Sequence, residues 1–281
     1  MMRLTSNRMG AAISAGLLAF ACGGADERTP AVEAGGVTVV GSPAPDSAVE
    51  EGEVDEEAVA IVRASLTFLE TQSSMSVTID SSYDAVQESG EKLEFGATRQ
   101  FVLRRPDRLR VETEPREGGR RIVQFDGQDL TVYEPEAKAY AQLGRQGDVD
   151  STIDFVRDDL STPLPLADLF RNKSTAVLDS LTVADLIGTE TVDGKPCEHI
   201  FLRNADVDAQ FWLLKGEQPV PLRVVLLYRT DEGQPAFRAH LTDWKFGVDA
   251  PDALFTFQPP PDAERILFAV EPVVAETEDP K

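Results

Sequence analysis

The 281-residue sequence predicts an α+β fold that consists mainly of antiparallel β-sheet. Three observations favour it. Apolar residues recur at helical spacing over one segment near residue 60, apolar and polar residues alternate over most of the chain from 77 to 246, and short connections join the alternating runs. Short connections indicate antiparallel neighbours, because parallel strands need a crossover of about a dozen residues or more.

The predicted helix runs from about Glu56 to Gln72. Asp55 suits the N-cap position, where a short acceptor side chain satisfies a free backbone N–H. The apolar stripe of this segment comprises Ala58, Ile61, Val62, Ser65, Leu66 and Leu69. We expect this stripe to pack against the sheet that follows.

Strands are predicted where side chains alternate with a period of two. Val77 and Ile79 alternate with polar residues in this way. The strongest hairpin signal is Asp126-Gly127, which separates the runs 122–125 and 130–133. Asp193-Gly194 indicates a second turn. The other predicted strands are 108–112, 93–104, 138–143, 197–203, 207–215, 222–230 and 236–246.

One apolar segment interrupts the strands, and we interpret it as two short helices, 151–160 and 166–171, followed by a third near 175–181. The late strand 222–230 is apolar on both faces. A sheet of this kind needs a cover on each face, or a cover on one and a cavity on the other. We expect the helices to cover one face and an apolar ligand to occupy the other.

The first 21 residues predict a secretory signal peptide, because Arg3 and Arg8 precede an apolar run that is too short to span a bilayer. Cys22 follows small residues, and the segment resembles the lipobox of bacterial lipoproteins, in which this thiol is acylated. Ala19 stands where those motifs usually have leucine. The alternative is an ordinary signal peptide that ends near a cysteine. If Cys22 is lipidated, Cys197 has no disulfide partner, since the chain has two cysteines.

Composition divides the rest of the chain into an acidic disordered tether at 22–57, a folded domain at 58–270 and a flexible acidic tail at 271–281. The formal net charge is −22. Such a chain is a poor partner for nucleic acid, and its attachment to a membrane would depend on the lipid rather than on a basic patch.

Motifs that carry catalysis are not evident in the sequence. It has no glycine-rich phosphate loop, no Gly-x-Ser-x-Gly elbow and no helical pair of metal-binding histidines. Cys197 and His199 would share one face of a strand, but a metal site needs further ligands, and His240 is the only other histidine. A hydrogen-bonded His199 is the favoured interpretation. We therefore predict no enzyme activity, no cofactor and no metal.

Two sets of residues are candidates for binding. The first is a set of large apolar side chains on late strands, which we interpret as an apolar cavity or core: Phe211, Trp212, Leu226, Tyr228, Trp244 and Phe246. The second is a basic cluster that would serve as a docking patch: Arg104, Arg105, Arg108 and Arg110. The favoured alternative for the cluster is a solvated turn at Pro106-Asp107.

Six stretches in order carry a family resemblance: 104–110, 125–133, 164–170, 192–199, 219–223 and 255–260. This set resembles a family of predicted periplasmic proteins of unknown function, distantly similar to the lipoprotein carriers LolA and LolB. The resemblance implies a strongly curved antiparallel sheet, a half-barrel, with helices on its concave side. In the carriers that side takes acyl chains. Two departures are Ala209, where a tryptophan is usual, and 259–262, which lacks an expected glycine.

These observations together predict a lipoprotein of the bacterial cell envelope that faces the periplasm, in the outer rather than the inner membrane. Its half-barrel would bind a lipid, an acyl chain or a lipidated protein, as a carrier, acceptor or sensor. The alternative is a structural or interaction module with a filled cavity, whose partner would be another envelope protein.

Overall fold

The predicted first helix is confirmed by the computed structural model, which describes residues 52–160 and 164–267. Helix α1 spans Glu56–Glu70, and the Asp55 carboxylate caps it by accepting a hydrogen bond from the Glu57 N–H at 2.8 Å. Its buried residues are Ala58, Val62, Ser65, Leu66 and Leu69. The helix therefore buries nearly the whole stripe that its sequence spacing predicts.

The strands form one curved sheet. Their bounds are β1 Ser74–Val86, β2 Lys92–Arg104, β3 Arg108–Pro115, β4 Arg121–Phe125, β5 Asp129–Glu134, β6 Ala139–Gly144, β7 Val183–Val192, β8 Lys195–Arg203, β9 Val207–Leu214, β10 Pro221–Tyr228, β11 Ala236–Phe246 and β12 Glu264–Ile266. Helix α2, Val149–Asp158, and 3₁₀ segments at Ala167–Phe170, Ser174–Ser180 and Asp252–Leu254 complete the described elements.

The sheet consists of two meanders that meet in its middle. Its strand order is β12-β6-β5-β4-β3-β2-β1-β11-β10-β9-β8-β7, and β1 pairs with β11 to join the meanders. Neighbours are antiparallel except β12 and β6, which run parallel. The expected α+β fold, a strongly curved antiparallel sheet with helices on its concave side, is confirmed.

Two strands are absent from the sequence prediction. The edge strand β7 contains Asp185, Gly188 and Glu190, and its register with β8 shifts between Leu186 and Gly188. These polar residues and the irregularity remove the alternation that identifies a strand. Strand β12 has three residues, all exposed, which is too short for a pattern.

The concave face is the side of the sheet that carries Met75, Val77 and Ile79 of β1. Helical segments pack on this side, since Phe68 of α1 contacts Phe246, which is opposite Met75. Val224, Leu226 and Tyr228 share this face by register, whereas Val225 and Leu227 lie on the convex face. The expectation that the helices and the open apolar surface lie on opposite faces is thus not met for β10.

The concave face has two ends. The covered end is where β1 begins and β2 ends. Helix α1 finishes there, and α2 begins there, with the Val149 N–H donating to the Pro106 carbonyl oxygen at 2.9 Å. The distal end is where β1 and β10 end and β2 and β11 begin.

Residues just before α1 pair with β7. The Asp55 N–H donates to the Ala184 carbonyl oxygen at 2.8 Å, and the Ala184 N–H donates to the Glu53 carbonyl oxygen at 3.2 Å. These contacts lie inside the range expected for the tether, 22–57. The predicted signal peptide, Cys22, the rest of the predicted tether and the predicted tail at 271–281 lie outside the described residues.

Candidate functional site

Aromatic side chains fill the covered end. The ring of Phe170 stacks on that of Phe101, with centroids 3.9 Å apart, and Phe68 meets Phe246 edge-on at 5.0 Å. Trp244 packs on Phe246 at 5.9 Å, and its indole N–H donates to the Pro221 carbonyl oxygen at 3.0 Å. Trp244 and Phe246, two of the predicted cavity or core residues, therefore belong to a packed part of the core.

The distal end keeps apolar surface open. Leu93 and Phe95 of β2 are 48% and 36% exposed, and by register both lie on the concave face. Tyr83 stacks on Phe95 with ring centroids 6.0 Å apart. Leu226 and Tyr228, on the same face, are half-buried. We call Tyr83, Leu93, Phe95, Leu226 and Tyr228 the distal patch.

The two tyrosines of the distal patch are neutral phenols at physiological pH. Burial raises the pKa of Tyr228 to about 12. Burial also raises the pKa of Tyr83, and the negative charge of Glu117 acts in the same direction. Both side chains thus combine an apolar ring with an uncharged hydroxyl group.

Arg99 lies on the concave face next to the distal patch. It pairs across the sheet with Ile79 on β1 and Thr113 on β3, so its side chain shares the face of the buried Ile79. Its guanidinium group donates to the Ser81 hydroxyl oxygen. Burial lowers the pKa of Arg99. Within 52–160 and 164–267, no carboxylate forms a salt bridge with it.

The residues of the predicted docking patch are engaged within the domain. Arg105 makes five hydrogen bonds, to the main-chain oxygens of Leu69, Gln72, Phe170 and Arg171 and to the Asn172 side chain. Arg104 pairs with Asp252, Arg108 with Asp107 at 2.9 Å, and Arg110 with Glu112 at 2.8 Å. The cluster fastens helical segments and the 250–252 region to the sheet, which favours a structural role.

Phe211 and Trp212 lie on opposite faces of β9, because successive strand residues point in opposite directions. Phe211 is opposite Ile200 and Val224 on the concave face. Trp212 is on the convex face, where its ring stacks on His199 at 4.2 Å and lies under the guanidinium group of Arg223 at 4.6 Å. The six predicted cavity or core residues therefore do not line one cavity, but all six belong to the hydrophobic core or pack against it.

His199 has two hydrogen-bond partners, as its favoured interpretation requires. Its Nδ1 lies 2.9 Å from a carboxylate oxygen of Glu190, and its Nε2 lies 3.1 Å from the Gln210 side-chain oxygen. Cys197 is buried on the same strand, and burial raises the pKa of its thiol. His240 bonds instead to Asp193 at 2.5 Å. The described part of the chain contains no cluster of three metal-ligating side chains.

Two clefts lie outside the distal patch. A groove of about 740 Å³ follows α1, where Val59, Ala64 and Phe68 line it together with Pro219 of the β9–β10 turn. A smaller cleft of about 400 Å³ lies on the convex face between Arg223, His240 and the β7–β8 turn. Neither cleft includes a residue of the distal patch.

The family is shown by sequence. Residues 58–269 match the model of a family described as "Predicted periplasmic protein (DUF2092)". The chain belongs to this family. The resemblance stated from the six sequence stretches is thereby confirmed. No curated protein sequence matches the chain.

Several solved structures are similar to this DUF2092 chain at low identity. The lipoprotein LppX of Mycobacterium tuberculosis is 15% identical, with a TM-score of 0.44 over 69% of this chain and 98% of that chain. An uncharacterised conserved protein from Thermus thermophilus is 12% identical, with a TM-score of 0.43 and coverage of 75% and 99%. A LolA superfamily protein from Nitrosomonas europaea is 16% identical, with a TM-score of 0.36 and coverage of 71% and 97%.

Sequence reasoning located β2 but did not single out Leu93, Phe95 or Arg99. A usable signal was present, because alternation along β2 places Arg99 on the same face as Ala97 and Phe101. An arginine between two inward-facing apolar residues is unusual and indicates a special site. Among the described helices, none combines the length and the apolar composition that crossing a membrane requires.

Proposed function

We propose that this periplasmic family member is a lipid-anchored envelope protein that binds an acyl chain on the distal part of its concave face. The chain would belong to a lipid or to a lipidated protein, and the protein would act as an acceptor, carrier or sensor without catalysis. The observation that carries the proposal is the distal patch. It is an open apolar surface on a face that is otherwise packed with core residues.

Burial of apolar surface provides the driving force. Removing apolar area from water contributes about 25 cal/mol per Å², or about 0.8 kcal/mol for each buried methylene group of a ligand. Leu93 and Phe95 are 48% and 36% exposed, so a ligand that covers them removes apolar area of both the ligand and the protein from water. Binding of this kind is set by shape and apolar area and needs few polar anchors.

The proposed anchor determines which role suits the protein. With Cys22 acylated, the proposed tether of residues 22–57 would place the domain roughly 30 Å from the membrane surface. A domain held at that distance reaches lipids and lipidated proteins of its own membrane more readily than those of another. An acceptor or sensor, facing the periplasm from the outer membrane, therefore fits the tether better than a shuttling carrier does.

The test uses the full chain with Cys22→Ser, which removes the thiol for acylation. We expect a lipid to co-purify in native mass spectrometry, and cis-parinaric acid to gain fluorescence on binding. The double substitution Leu93→Ser and Phe95→Ser should weaken binding by about tenfold or more, since it removes apolar contact area.

The matched control is Ile187→Ser, which changes an apolar residue that is 56% exposed on β7, away from the distal patch. This variant should bind the probe as the parent chain does. An absence of both co-purified lipid and probe binding would overturn the proposal. Equal weakening by the control would show that the binding surface is elsewhere.

A further inference from the structure

Arg99 places a positive charge, without an acidic partner in the described ranges, on an apolar face. Its neighbours on the same side of β2, Ala97 and Phe101, are 5% and 8% exposed, and its cross-strand partner Ile79 is 6% exposed. Among the described residues, its one hydrogen-bond partner is the neutral Ser81 hydroxyl group. A cation that has lost water without gaining a counter-ion destabilises the folded state. Such a residue is more readily explained by a ligand than by the fold.

The position of Arg99 relative to the distal patch is fixed by the strand. Arg99, Ala97, Phe95 and Leu93 follow one another on the same face of β2. At roughly 3.3–3.4 Å per residue, Arg99 lies about 13 Å from Phe95 and about 20 Å from Leu93 along the strand. The charge is therefore at the inner end of the apolar strip, and the strip opens outward at the distal end.

Other groups around Arg99 suit an anion. The Ser81 hydroxyl group is on the neighbouring strand, and Tyr83, two residues further along the same face, is a neutral phenol that can donate a hydrogen bond. A guanidinium group binds a carboxylate or a phosphate through two parallel hydrogen bonds, and these bonds are stronger where water is excluded. Arg99 is half-buried, so it is both partly desolvated and accessible.

We infer that the ligand of the concave face is an anionic amphiphile, with its carboxylate or phosphate group bound by Arg99 and its acyl chain lying over Phe95 and Leu93 toward the distal end. This inference rests on the proposed function and names its ligand class. The negative group supplies a counter-ion that Arg99 does not have among the described residues, and the acyl chain covers the exposed apolar strip.

The experiment measures binding to the full chain with Cys22→Ser by isothermal titration calorimetry, below the aggregation concentration of each ligand. Oleate and oleoyl lysophosphatidate supply the carboxylate and the phosphate, and monooleoylglycerol is the neutral comparator. We expect at least one anionic ligand to bind about 10- to 100-fold more tightly than the neutral one, as a charged hydrogen-bonded contact implies. The tighter binder of oleate and oleoyl lysophosphatidate identifies the preferred headgroup.

Variants at Arg99 separate charge from packing. Arg99→Leu should abolish the preference for the anionic ligand, and Arg99→Lys should retain part of it, because it keeps the charge but loses the two parallel hydrogen bonds of the guanidinium group. The matched control is Arg223→Leu, since Arg223 is an exposed arginine on the convex face that also lacks a salt bridge among the described residues. The control should keep the preference of the parent chain.

Thermal unfolding without ligand distinguishes a binding role from a structural one. Arg99→Leu should raise the melting temperature, because it removes a partly desolvated charge without a counter-ion. A lower melting temperature, with an unchanged preference for oleate, would overturn the inference.

The remaining outcomes are also decisive. If the parent chain binds monooleoylglycerol and oleate equally, the assignment to Arg99 is wrong while the proposed acyl site stands. If it binds none of the three amphiphiles, the proposed function fails. If inorganic phosphate binds as tightly as the amphiphiles, the ligand is a free anion and not an amphiphile, and the inference is overturned.

Discussion

The covered end and the distal end of the concave face are built from the same strands, yet they are completed differently. At the covered end, Phe170 and Phe68 pack into the sheet, and Arg105 fastens the helical segments through five hydrogen bonds. At the distal end, Leu93 and Phe95 remain exposed. One end therefore uses its apolar area to stabilise the fold, whereas the other keeps its area available.

The two arginines on this part of the chain show the same contrast. Arg105 satisfies main-chain oxygens that the ends of α1 and of the 3₁₀ segment would otherwise leave without partners. Arg99 has Ser81 as its hydrogen-bond partner and no salt bridge among the described residues. A half-buried charge with many acceptors supports the structure, whereas we interpret a half-buried charge with few acceptors as a contact for a ligand.

The largest expected effect comes from a pair of phenylalanine substitutions. Phe170→Ala should lower the free energy of unfolding by about 3–5 kcal/mol, because it leaves a cavity against Phe101 in the core. Phe95→Ala should lower it by less than about 1 kcal/mol, since Phe95 is 36% exposed. Urea denaturation of both variants measures the difference. A loss at Phe95 equal to that at Phe170 would show that the distal end is packed like the covered end.

A smaller effect is expected from pH at Tyr228. Its folded-state pKa of about 12 exceeds the unfolded value of 10.0. Between these values the unfolded chain releases the proton while the folded chain keeps it, so stability falls as the pH rises from 10 toward 12. The loss should reach about 2–3 kcal/mol, at about 1.4 kcal/mol for each pKa unit.

Tyr228→Phe is the control for this titration, because it removes the hydroxyl group and keeps the ring. The pH dependence of the free energy of unfolding should be shallower in the variant than in the parent chain above pH 10. The same dependence of unfolding free energy on pH in both chains would mean that the Tyr228 hydroxyl group is well hydrated. The distal patch would then be polar at this position.

The sequence was sufficient for the elements that local patterns encode. The stripe of α1, the Asp126-Gly127 hairpin and the alternation along β2 all predicted their structures, because helical and strand periodicity depend on near neighbours. Strand β7 escaped prediction since its polar residues at an edge need no buried face. Its place in the sheet is set by pairing with β8, which is a tertiary effect.

The candidate site could be predicted only in part. Because successive strand residues point to opposite faces, the sequence alone places Phe211 and Trp212 on opposite faces of β9. The same alternation places Arg99 on the inward face of β2. The sequence does not reveal which end of the concave face the helices cover, because that depends on where α1 and the 3₁₀ segments dock. The open distal end, and hence the importance of Leu93 and Phe95, emerges only from the packing of these segments.

The most direct test of the central claim locates a bound acyl chain on the protein. A fatty acid with a diazirine group near its methyl end would be photo-crosslinked to the full chain with Cys22→Ser, and the labelled residues identified by mass spectrometry. We predict labels at Leu93, Phe95 and Tyr83, at the distal end. Labels confined to the groove along α1, at residues such as Ala64 and Phe68, would contradict the account.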